Sequence, residues 1–138
     1  KVSPTATLET EQEINIKNLR ILVVDDEEDF CDIMDKFLSR KGHNVKTVDN
    51  GADAIGIIKA EDFDLVLSDI GMLCVNGYEV ARAINKLEKR PKIGIITGWR
   101  EKLERFGEED GKVDFILKKP FKLPELSKHI NDLFGADS

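Results

Sequence analysis

At 138 residues the chain is the size of one domain, and its 41% hydrophobic content is material for a single core that needs no disulfide framework, for which Cys31 and Cys74 are in any case too few. Its 21 basic and 27 acidic residues leave a net charge of −6 with no Lys/Arg cluster, which argues against direct contact with nucleic acid. No apolar run approaches the ~20 residues of a membrane span and the N-terminus lacks a signal-peptide layout, so the expectation is a reducing, cytoplasmic setting without membrane contact.

Residues 1–18 are polar, carry Pro4 and show no sustained period, which reads as a linker or N-terminal extension ahead of a domain over 19–136. A start at Lys1 suggests a piece of a longer protein. Ile21-Leu22-Val23-Val24 is wholly apolar, as a strand covered on both faces should be. Phe30, Ile33, Met34, Phe37 and Leu38 follow at helical spacing, and Gly42 suits a left-handed turn after that helix. Val45 to Val48 reads as a more polar strand at an edge, and Ala54, Ile55 and Ile58 mark a second helix. Leu65-Val66-Leu67 is a third strand, and Val80, Ala81, Ile84 and Leu87 mark a third helix. A strand over Ile93 to Ile96 precedes a polar stretch, Arg100 to Gly111, with room for one short helix at most. Phe115-Ile116-Leu117 is the fifth strand, and Leu126, Ile130, Leu133 and Phe134 form the last stripe, with Pro124 in its first turn. Alternating strands and helices predict an α/β fold, a doubly wound parallel sheet whose ligands bind at the carboxyl ends of the strands.

Those ends carry Asp25 and Asp26 after strand one, Asp69 after strand three, Thr97 ending strand four and Lys119 after strand five. Singly, each has a plain structural role. Asp25 or Asp26 suits a helix cap, Asp69 a turn before Gly71, Thr97 a strand and Lys119 the surface. Together on one edge they suggest chemistry, because three clustered carboxylates repel one another unless a cation lies among them. An open, oxygen-only site suits Mg²⁺. A hydroxyl and an ammonium opposite it suit phosphoryl transfer, with Asp69 as the nucleophile that forms an acyl phosphate.

Four blocks resemble the signatures of response-regulator receiver domains: Val23-Val24-Asp25-Asp26-Glu27, Ser68-Asp69-Ile70-Gly71-Met72 with Asn76-Gly77-Tyr78, Ile96-Thr97-Gly98 and Lys119-Pro120-Phe121. They stand in the family's order and cover Arg20 to about Phe134. The resemblance implies a flavodoxin-like five-stranded sheet of order 2-1-3-4-5 and a phosphoacceptor module of a two-component system. Asp69 would accept the phosphoryl group from the phosphohistidine of a cognate histidine kinase or phosphotransfer domain, or from acetyl phosphate. It further implies Mg²⁺ bound directly by Asp26 and Asp69, through water by Asp25, and by the Gly71 carbonyl. Lys119 would pair with phosphoryl oxygens, Thr97 would turn inward to bond them, and the bond before Pro120 would be cis.

The chain departs from the family pattern at Leu73, usually Pro, at Gly98-Trp99, usually Ala after the threonine, and at Ile116, usually an aromatic that rotates in step with the threonine. An aspartyl-phosphate phosphatase would carry a second Asp two residues after the nucleophile. Gly71 stands there, so no stand-alone enzyme is expected. The other alternative is a degenerate receiver that only binds partners, although every acidic and basic site residue is present. The C-terminal receiver of a hybrid histidine kinase is the expected parent, a free-standing receiver the alternative. His43 and His129 are expected at the surface, Cys74 as a small filler, and Glu108-Glu109-Asp110 as a solvated loop.

Overall fold

The computed structural model describes residues 18–70, 77–98 and 112–135. Among them are strands β1 (Arg20–Val24), β2 (Asn44–Val48), β3 (Leu65–Asp69), β4 (Lys92–Thr97) and β5 (Phe115–Lys118). The helices are α1 (Glu28–Arg40), α2 (Gly51–Ala60), α3 (Gly77–Asn85) and α4 (Leu123–Phe134). All pairings are parallel, in the order β2-β1-β3-β4-β5. None of these helices is long and apolar enough to cross a membrane. The expectations for residues 1–17, Gly71 to Asn76 and Trp99 to Gly111 lie outside the described residues.

The central strands carry apolar runs, Ile21 to Val24, Leu65 to Leu67 and Ile93 to Ile96 broken only by Gly94, because the sheet separates two cores. Ile21, Val23, Leu65, Leu67 and Ile96 face α1 and α4, meeting Met34, Leu38, Leu126 and Ile130. Leu22, Val24, Val66, Ile93 and Ile95 face the other way, onto Ala54, Ile58, Val80 and Ile84. Period-two alternation thus feeds both layers from one strand. β2, at the edge, buries none of its five residues. Two aspartates start their neighbours' strands: Asp64 Oδ2 accepts the Arg20 N–H at 2.8 Å and Asp114 Oδ2 the Ile93 N–H at 2.8 Å.

α1 corrects one expectation. Its buried residues are Cys31, Met34 and Leu38, while Ile33 is 54% exposed. At 3.6 residues per turn, Ile33 lies roughly 130° round from the centre of that arc. Gly42, at φ 94°, turns the chain from α1 into β2 as expected. His43 does not lie at the surface: it is buried, with Nδ1 accepting the Leu19 N–H at 3.2 Å. That bond joins the end of the α1–β2 turn to the start of β1, so the side chain is drawn inward. His129 is half-buried, stacked on Phe115 with ring centroids 4.4 Å apart. Leu87 packs against the core just beyond α3 instead of on it.

Candidate functional site

Parallel register brings the chemistry to one level. Val24 pairs with Ser68, Asp69 with Ile96 and Thr97 with Lys118. Backbone bonds continue past the strands and hold their ends: Asp25 N–H to Val48 O at 3.1 Å, Ile70 N–H to Ile96 O at 2.9 Å, and Lys119 N–H to Thr97 O at 2.7 Å. The Lys119–Pro120 bond is cis.

Asp25, Asp26 and Asp69 each offer a carboxylate oxygen, and these oxygens lie within 4.8 Å of one another. Asp25 is buried, Asp69 half-buried and Asp26 exposed, so one side of the cluster is open to water. The N-cap of α1 is Glu27, and its side chain makes no capping bond. Asp25 instead orders the turn ahead of the helix, its Oδ1 accepting the Glu27 N–H at 2.8 Å. Burial pushes the Asp25 carboxyl above its ordinary value, against the Glu27 N–H and Lys119, which pull it down. A carboxylate that is both desolvated and among like charges fits a cation.

Lys119 reaches into the cluster from the other side. Its Nζ lies 3.0 Å from Asp25 Oδ2, 2.8 Å from Glu27 Oε1 and 3.8 Å from Asp69 Oδ1. It also sits 4.4 Å from the Phe30 ring centroid, and that ring packs edge-on against Phe121. Burial acts to lower the ammonium's pKa, but its bonds to Glu27 and Asp25 outweigh this and raise it. The Lys119 hydrogen bond holds the Glu27 carboxyl below its ordinary value. Thr97 is buried, its hydroxyl donating to Gly98 O at 2.8 Å.

The structure therefore brings together Asp25, Asp26, Asp69, Thr97 and Lys119. Gly71 lies outside the described residues. Sequence reasoning gave no role to Glu27 or Phe30, the other neighbours of Lys119. Glu27 adjoins the acidic pair, and its charge opposite a site lysine was the available signal. Phe30 showed only a core helix stripe.

The response regulator receiver domain model matches residues 21–131. The transcriptional regulatory protein TcrA of Mycobacterium tuberculosis is 30% identical over 118 residues, 86% of this chain and 47% of TcrA. The response regulator receiver protein CpdR of Brucella abortus is 32% identical over 117 residues, 85% of this chain and 98% of CpdR. The chain thus spans about half of the first relative and nearly all of the second. The structure of response regulator protein TrrA from Thermotoga maritima, in complex with Mg²⁺-BeF, superposes with a TM-score of 0.74 at 31% identity, covering 86% of this chain and 100% of TrrA. Fold, strand-end chemistry and relatives agree, and the chain belongs to the response regulator receiver domain family.

Proposed function

We propose that residues 19–136 form a receiver whose phosphoacceptor is Asp69, preceded by a linker. The observation that carries this is the convergence of three carboxylates, Lys119 and Thr97 at one edge of the sheet. Asp26 and Asp69 would hold Mg²⁺ directly, Asp25 through water, and the Gly71 carbonyl would join them. When bound, the ion neutralises charge on the phosphoryl oxygens. An Asp69 oxygen attacks phosphorus in line as the N–P bond of a phosphohistidine breaks. The electron pair of that bond stays on the imidazole nitrogen, and the O–P bond of an acyl phosphate takes its place. Lys119 pairs with the phosphoryl oxygens. The Thr97 hydroxyl gives up Gly98 O to donate to one of them.

The partner is a cognate histidine kinase or phosphotransfer domain. A histidine side chain is short, so its protein must touch the rim of the site to reach Asp69. On that rim Phe30, Ile33, Pro120, Phe121 and Leu123 line an apolar groove beside Lys119. The net charge of −6 supports a protein partner over nucleic acid. The module takes part in its own phosphorylation without acting as a stand-alone enzyme.

With acetyl phosphate and Mg²⁺, intact-protein mass spectrometry should show one added phosphoryl group, and none on Asp69→Asn. Equal stoichiometry on Asp69→Asn overturns the assignment. Asp26→Ala should lose Mg²⁺ binding by calorimetry yet melt no lower than the parent in metal-free buffer, since it relieves like-charge repulsion.

A further inference from the structure

Lys119 is not idle in this structure. Its ammonium can make three hydrogen bonds, and the two at hydrogen-bond length go to Glu27 at 2.8 Å and Asp25 at 3.0 Å. Asp69, at 3.8 Å, is too far for one. A phosphoryl group on Asp69 would draw the ammonium toward itself and so loosen its hold on a present partner. Asp25 is fixed: it is buried, and its other oxygen is held by the Glu27 N–H. The Glu27 side chain is different, being 65% exposed and at the N-cap ahead of its helix, where water can take the place of Lys119.

We propose that Glu27 is a positioning residue that competes with the phosphoryl group for Lys119 and thereby limits how stable the phosphorylated state is. The proposal rests on the reading that Lys119 pairs with phosphoryl oxygens. In the resting protein Glu27 anchors the ammonium on the outer side of the cluster, and each phosphorylation competes with that ion pair. Each return of Lys119 to Glu27 withdraws a counter-charge from the phosphoryl oxygens. The acidic residue next to the metal-binding pair thus opposes the product that the pair helps to form.

Beryllium fluoride at saturating Mg²⁺, titrated by calorimetry, is the probe. Glu27→Gln keeps an acceptor but removes the charge, and should tighten beryllium fluoride by about two- to fivefold, the range for a largely exposed ion pair. Glu27→Ala, which removes the acceptor as well, should move at least as far. The neighbouring Glu28→Gln removes the same charge without touching Lys119, and should give less than half of that gain. In Glu27→Gln, loss of the phosphoryl group after loading with acetyl phosphate should slow by a similar factor. Unchanged or weaker binding in Glu27→Gln, or an equal gain in Glu28→Gln, overturns the proposal and shows a general field at most. Lys119→Met distinguishes the two levels: if it binds beryllium fluoride as tightly as the parent, the reading of Lys119 itself falls. If Lys119→Met binds weakly and Glu27→Gln is unchanged, only the role of Glu27 falls.

Discussion

Asp25 carries a charge with no access to water, and what makes that tolerable in metal-free protein is Lys119 and one N–H. Lys119→Met strands that carboxylate. It should destabilise the metal-free protein by about 1–3 kcal/mol, less than a fully buried pair because Lys119 is partly exposed. Thermal melts check this, and Mg²⁺ should recover part of the loss by supplying another cation. Lys119 has a raised pKa, so its contribution is complete below the ordinary value of 10.5 and is lost as pH rises through the higher folded value. His43 works in the opposite direction. Its Nδ1 is an acceptor, so protonation must break the bond to Leu19 N–H, and burial lowers its pKa below 6.5. Its contribution is present above 6.5 and is lost as pH falls through the lowered folded value. His43→Leu should flatten that part of the stability profile, measured as denaturant midpoints across pH.

At the scale of elements, what can be read from a sequence depends on how many faces an element buries. β1 and β3 are covered on both sides, so they announce themselves as unbroken apolar runs. α1 was recognisable as a helix, but its phase was not. Ile33 fits the stripe by spacing, and only the position of the sheet shows that Cys31 faces inward instead. The burial of His43 left no local signal because its partner, Leu19, lies just ahead of β1, 24 residues away. The site residues were legible because they end strands whose register follows from the fold, whereas the ion pair of Glu27 with Lys119 spans 92 residues and left no local pattern. Two expectations test this scale. In β4, a Cβ on Gly94 would run into the Phe115 ring, which is itself stacked on His129. Gly94→Ala should therefore cost about 1–3 kcal/mol by overpacking, seen as a lower denaturant midpoint. On α1, Ile33→Arg should slow transfer from the cognate phosphohistidine protein while leaving acetyl phosphate labelling unchanged, because Ile33 lies on the rim and not in the cluster.

The molecule as a whole is acidic, and its acidity is uneven. Asp25, Asp26, Glu28, Asp32, Asp49 and Asp53 line one bay at the strand ends, and among the described residues no basic one lines it with them. Such a bay concentrates cations and repels an anionic phosphoryl donor until a cation is present. Mg²⁺ affinity should therefore fall severalfold as salt is raised from about 0.01 M to about 1 M, where the screening length shrinks from roughly 30 Å to roughly 3 Å. Calorimetric titration at the two salt concentrations checks this. Neutralising Asp49 and Asp53 together should reduce the salt dependence more than it reduces binding at high salt.

Cys31 lines the same bay, where a thiolate would change what the site prefers to hold. Soft sulfur ligands recruit zinc and copper ahead of magnesium. Here the thiol is turned away from that part. It donates to the Asp25 carbonyl at 3.3 Å, and burial, helped by the Asp25 charge, pushes its pKa from 9.0 up to about 11. At neutral pH it stays protonated, a poor ligand and a slow target for oxidants. Burial and the charge of one acidic residue thus keep the nearby sulfur out of the coordination chemistry, and the bay remains hard in its choice of metal.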